Sequence, residues 1–102
     1  MRLYHASPKR NLESIKAVGL DPNRSQCKKK EVWLHTQSRR EWAILHVCNR
    51  HKCEVSEVVI FEVNVPRSKI RRRWRGLWST ADPITEFANI TNAGDFTESP
   101  VA

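Results

Sequence analysis

Hydrophobic and polar positions divide the chain into short elements with clear punctuation. Arg2–Ala6 alternates as an extended segment and ends at Ser7-Pro8, where Ser suits a helix N-cap and Pro the first helical position. Leu12, Ile15 and Val18 then recur every third residue, which predicts a helix over 8–18. Gly19 follows where a left-handed residue ends a helix, with Leu20 placed to pack back. Asp21–Lys30 carries Pro22, Asn23 and Ser25 and the run Lys28-Lys29-Lys30, and reads as an exposed cationic loop.

Glu31–Thr36 holds Val32, Trp33 and Leu34 in a short apolar run, and the two-residue period of a strand puts Trp33 and His35 on one face. Ser38 with Glu41 three residues later has the form of a capping box, and Trp42, Ala43, Leu45 and Val47 supply the apolar side of a second helix to about Asn49. Val58–Val65 alternates up to Pro66 and is the best-defined strand. Gly76–Thr80 and Glu86–Thr91 are further strand candidates, and Arg67–Arg75 is a cationic loop or sheet edge. The order of elements predicts an α+β domain over 1–91 whose late strands pair antiparallel, with 92–102 as a weakly ordered tail.

Composition narrows the partners. The chain has 102 residues, enough for one core, and 18 Lys and Arg against 11 Asp and Glu give a net charge of +7. Such a balance favours polyanions, whether nucleic acid or a phosphorylated cofactor. The longest apolar runs fall far short of the roughly 18 to 20 residues that cross a bilayer. Three cysteines, Cys27, Cys48 and Cys53, follow no framework spacing and read as reduced thiols of a cytoplasmic protein.

The opening strand Leu3-Tyr4-His5-Ala6-Ser7, the helix closing in Val18-Gly19-Leu20-Asp21-Pro22, the loop and the strand Val32-Trp33-Leu34-His35 together resemble the NAD-binding half of ADP-ribosyltransferases. The pattern is most similar to the RNA 2′-phosphotransferase branch, and it covers about residues 2–66. The resemblance implies a split β-sandwich of two small antiparallel sheets with two helices, and NAD as the cofactor in the cleft between the sheets. It places His5 on the family's ribose-binding histidine and Ser7 where the family has Thr. Trp33 falls at the Tyr or His that flanks the nicotinamide, keeping a stacking surface without the hydroxyl or imidazole.

Glu86, in Glu86-Phe87-Ala88-Asn89-Ile90, resembles the acidic third motif. A carboxylate there would stabilise the oxocarbenium-like centre that forms as the nicotinamide–ribose bond breaks. Arg24 and Lys30 are the cations placed to hold the pyrophosphate. The acceptor of ADP-ribose would be nucleic acid or protein. The alternative is a catalytically inactive small basic module that keeps the scaffold and binds nucleic acid or an acidic protein; on the bland reading His5 is an ordinary strand histidine and Trp33 a core aromatic.

Two other constellations bear on function. Arg71, Arg72 and Arg73 run unbroken into Trp74, a mixture suited to phosphate contact and base stacking, though a charge run is as often a solvated edge. His46, Cys48, His51 and Cys53 fall within eight residues, but their spacing matches neither Cys-x2-Cys nor His-x3-His, so no metal site is expected. The sequence contains no Gly-rich phosphate loop, Gly-x-Ser-x-Gly elbow or His-Glu-x-x-His pair, which excludes the common forms of P-loop enzyme, serine hydrolase and zincin.

Overall fold

A computed structural model describes residues 1–24 and 30–94, so Cys27, Lys28, Lys29 and the tail beyond Gly94 lie outside the described residues. The described elements run β1 (Arg2–Pro8), α1 (Leu12–Val18), β2 (Val32–His35), α2 (Arg40–His51), β3 (Val58–Asn64), β4 (Arg71–Trp74), β5 (Leu77–Thr80) and β6 (Asn89–Asn92). All strand pairs are antiparallel, and the strands form one six-stranded sheet in the order β4-β5-β2-β1-β3-β6. The α+β class, the antiparallel pairing and the two helices agree with the sequence reading. The two sheets expected there are joined into one through the single β1–β2 pair Tyr4↔His35.

That narrow junction divides the sheet into two well-paired halves. On one side β1 zips along β3 for seven residue pairs, from Arg2↔Asn64 to Pro8↔Val58. On the other, β2 pairs with β5 from Val32↔Thr80 to His35↔Leu77. Past Tyr4 and His35 the second half of β1 and the first half of β2 follow different neighbours, and a gap opens between them.

Each sheet face has its own core. Leu3, Val32, Leu34, Phe61 and Val63 pack with Ile15 of α1, and Ile44 and Val47 of α2 pack with Val58, Ile60 and Ala93 on the opposite face. β3 is therefore buried on both faces, which is why apolar residues occupy its alternate positions on either side, Val58 and Ile60 against Val59 and Phe61. Burial of Ala93 and inclusion of Asn92 in β6 carry the folded domain past the boundary at 91 drawn from sequence.

The capping signals were misleading in two places. Ser7 is a strand residue and Pro8 ends β1 opposite Val58, so α1 starts only after a 3-10 turn over Lys9–Asn11. Pairing with β3 outweighs the local Ser-Pro preference. Ser38 caps nothing: its hydroxyl meets that of Thr36 at 2.9 Å, and α2 follows a 3-10 turn over Gln37–Arg39. The capping box that does form joins Glu54 and Glu57, ahead of β3. Trp42 and Leu45 face outward, and Ala43, Ile44 and Val47 form the buried stripe of α2.

Gly19 ends α1 as expected, with φ at 82° and its N–H on the Ile15 carbonyl. Leu20 bridges to Ile84, and a Cβ on Gly19 would sit 2.4 Å from the Ile84 oxygen. Only glycine satisfies both demands.

Candidate functional site

The gap between β1 and β2 is the mouth of a cavity of about 470 Å³. It cuts through the sheet, so both helices reach it. Ser14 and Ile15 of α1 and the following Gly19–Asp21 border one side, and Trp42, His46 and Arg50 of α2 border the other. Such a cleft, mixed in polarity and bounded by β1, β2, β5 and both helices, has the size of a site for a small molecule or cofactor.

His5 spans the split. Its Nδ1 lies 2.8 Å from the Trp33 carbonyl oxygen. A carbonyl only accepts, so Nδ1 carries the proton and Nε2 is left as an acceptor. Burial lowers the pKa of the ring, and the bond to the Trp33 carbonyl opposes that only in part. His5 is thus a neutral acceptor at neutral pH, fixed by the strand it bridges to.

His35 is the second histidine of the cleft and is 3% exposed. Its Nδ1 donates to the Thr36 carbonyl at 2.9 Å, its ring stacks on Tyr4, and among the described residues nothing donates to its buried Nε2. Desolvation, reinforced by the nearby His5 and Arg40, pulls its pKa down to about 4. Two neutral imidazoles therefore flank the split.

The far end of the cleft is cationic. Arg10 donates from Nη2 to His51 Nδ1 at 3.1 Å, and burial together with Arg10, Arg50 and His46 lowers the His51 pKa. Arg24 lies across the loop after α1, with its Nη1 donating to Ser14 Oγ at 2.7 Å. Arginines held in this way present fixed forks for phosphate oxygens.

The structure brings some of the expected site residues together and separates others. His5, Ser7, Arg24 and Trp33 all line the cleft. Lys30 is exposed and is not part of its lining. Glu86 is separated from them: it is exposed in the segment between Ile84 and β6, which begins only at Asn89, and it does not border the cleft. The carboxylates that do line it are Asp21 and Glu31.

The basic run forms the edge strand β4, with Arg71, Arg72 and Trp74 exposed. Arg73 differs from its neighbours. It donates to both Glu31 oxygens at 2.6 Å and to Ser79 Oγ at 2.8 Å, and its guanidinium lies 5.8 Å from the centre of the Trp33 ring. This arginine is an internal clamp, whereas sequence reasoning had grouped it with the nucleic-acid-binding set.

The four residues considered as zinc ligands are likewise otherwise engaged. His46 stacks on Trp42, His51 accepts from Arg10, and Cys48 and Cys53 pack beside the α2 core. Among the described residues no three His, Cys, Asp or Glu side chains are grouped to hold a metal ion, and no described helix is long and apolar enough to cross a membrane.

No family model matches the chain, and neither does any curated protein or solved structure. The sequence-based reading overlooked His35, Trp42, His46 and Arg50 as cleft residues. Trp42 carried the clearest signal, since an aromatic in the first turn of α2 outside the Ile44–Val47 stripe has no core to join.

Proposed function

We propose that the chain is an NAD-dependent ADP-ribosyltransferase-like protein that binds the dinucleotide in the split between β1 and β2 and transfers ADP-ribose to a nucleic acid or protein acceptor. The observation that carries this reading is the bond from His5 Nδ1 to the Trp33 carbonyl, which aligns the two sequence motifs of the resemblance on either side of one cleft. Neutral His5 would accept from a ribose hydroxyl through Nε2, and Trp33 would offer a ring to the nicotinamide. Arg24 and Arg50 are the cleft arginines that would meet the pyrophosphate.

NAD supplies an activated glycosidic bond whose cleavage leaves positive charge on the ribose, and a nearby carboxylate stabilises that charge. With Glu86 outside the cleft, this part falls to Asp21 or Glu31. Glu31 is already matched by Arg73, whereas Asp21 Oδ1 accepts only the Asn23 backbone N–H at 2.9 Å among the bonds described. Asp21 is the better placed to face a cation.

The second reading, a basic module that has the scaffold without the chemistry, is favoured by the same displacement of Glu86. Titration calorimetry with NAD, followed by an assay of nicotinamide release on the wild type, His5→Ala and Asp21→Asn, separates the two. Release that disappears in both variants supports the transferase. Binding without release supports a non-catalytic NAD-binding module, and absence of binding removes the NAD reading.

A further inference from the structure

Three of the four tryptophans are exposed: Trp33 by 36%, Trp42 by 45% and Trp74 by 68%. A small protein gains nothing in stability from leaving such rings in water, and grouped exposed aromatics mark a surface with a partner. Strand register shows that they are grouped. Residues opposed in neighbouring antiparallel strands share a sheet face, and Trp33 pairs with Ser79, Ser79 with Arg71, and Trp74 with Leu77. Leu77 in turn opposes His35, which stacks on Tyr4.

Trp33, Arg71 and Trp74 therefore lie on one face, that of α2. The irregularity between Arg72 and Trp74 in β4 is what brings Trp74 to it, because an extra residue resets the alternation. α2 packs chiefly on β1, away from β4 and β5. Its near edge forms a wall beside the open strands: the Arg39 guanidinium lies 5.9 Å from the Trp42 ring centre, Trp42 stacks on His46, and Arg39 Nε donates to the Arg75 carbonyl at 2.8 Å. The result is a trough with β2, β5 and β4 as its floor, roughly 12 Å separating Trp33 from Trp74 by strand spacing and residue rise.

We infer that this trough binds single-stranded nucleic acid. Cationic side chains at Arg39 and Arg71 match a phosphodiester backbone, and the net charge of +7 gives the attraction its sign. Separated exposed rings offer stacking surfaces to unpaired bases, which an acidic protein would not use and a duplex keeps hidden. Arg73 prepares the floor without contacting the strand: tied to Glu31 and Ser79, it backs the Trp33 ring. The trough shares Trp33 and Trp42 with the cleft, but the inference does not require that NAD bind there.

The test is fluorescence anisotropy with labelled 12-nucleotide single-stranded RNA and DNA of mixed sequence, the corresponding duplexes, and polyglutamate, all without NAD. Binding of either single strand in preference to duplex and polyglutamate is expected. Trp74→Ala weakens it by roughly five- to a hundredfold, and Trp74→Phe, which keeps a ring, restores most of the loss. Arg71→Gln lowers the salt dependence by about 0.7 in log–log slope for one lost phosphate contact. Lys16→Gln, the same charge change on α1, leaves affinity unaltered. The inference is overturned by failure of both single strands to bind, by equal affinity for duplex or polyglutamate, by indifference to Trp74→Ala in a protein with wild-type circular dichroism, or by equal losses in Lys16→Gln and Arg71→Gln.

Discussion

His5 and Trp33 belong to strands that part company one residue earlier, and the 2.8 Å bond from the His5 ring to the Trp33 carbonyl ties them where backbone pairing has stopped. One imidazole thus limits how far the split opens and turns its own Nε2 toward service as an acceptor. Replacement by Ala removes both effects. His5→Ala is expected to lower NAD affinity at least tenfold by calorimetry while costing only about 1 kcal/mol in urea unfolding, the usual scale for one net hydrogen bond. His5→Asn, which retains a donor at similar reach, should recover stability more than affinity.

The Arg73–Glu31 pair makes a different demand on the fold. Both side chains are mostly buried, 20% and 16% exposed, and one nitrogen of the guanidinium, Nη2, donates to both carboxylate oxygens while Nε holds Ser79. Losing the arginine strands a carboxylate in a poorly solvated place, so Arg73→Ala is expected to destabilise by roughly 2–3 kcal/mol, short of the full cost for a wholly buried pair. Arg73→Lys should recover only part of this, because a single ammonium nitrogen cannot hold Glu31 and Ser79 from two separate positions as Nη2 and Nε do. Arg71→Ala and Arg72→Ala, on the exposed edge, should change stability by less than about 0.5 kcal/mol.

Those three consecutive arginines show where sequence reading ran out. Charge left Arg67–Arg75 as either a loop or a sheet edge, and a one-residue irregularity opposite Leu77–Trp78 decides which arginine turns inward, which no local preference encodes. The Gly19 turn, the alternating β3 and the gathering of His5, Ser7, Arg24 and Trp33 along one cleft were legible, since each is set by short-range geometry or by a contiguous motif. Glu86 was not. Its position depends on the Leu20↔Ile84 bridge, which pins the chain before it and lets β6 begin only at Asn89. A contact between residues so distant in sequence leaves no trace in the periodicity around Glu86.

The placement of Glu86 has a direct consequence for the chemistry. Glu86→Gln removes a charge from an exposed segment outside the cleft and is expected to leave nicotinamide release within twofold of wild type. Asp21→Asn should reduce it at least a hundredfold, the scale of losing one electrostatic contact to a developing charge. The comparison is made at saturating NAD, so that altered affinity does not pass for altered chemistry.

Gly19 couples this site to the fold. Any side chain there would meet the Ile84 carbonyl at 2.4 Å, and φ of 82° is itself costly for other residues. Gly19→Ala combines strain with overlap and is expected to cost roughly 3 kcal/mol in thermal or urea unfolding. Because the residue lines the cleft beside Asp21, the same change should weaken NAD binding.

Acid should loosen the protein through its histidines. Desolvation holds His35 neutral with a pKa of about 4, against 6.5 for the unfolded chain, and His5 and His51 are lowered in the same direction. Between those two values the unfolded state takes up a proton that the native His35 refuses, so stability is full above pH 6.5 and falls as pH drops toward 4, where the native ring also protonates. The loss from His35 alone is on the order of 3 kcal/mol, from its shift at 1.36 kcal/mol per pH unit. His35→Gln should flatten this limb of the stability profile. An unfolding midpoint in urea that falls between pH 7 and 4.5 for the wild type, and falls less for the variant, would place the proton-linked step at the Tyr4–His35 junction where the two halves of the sheet meet.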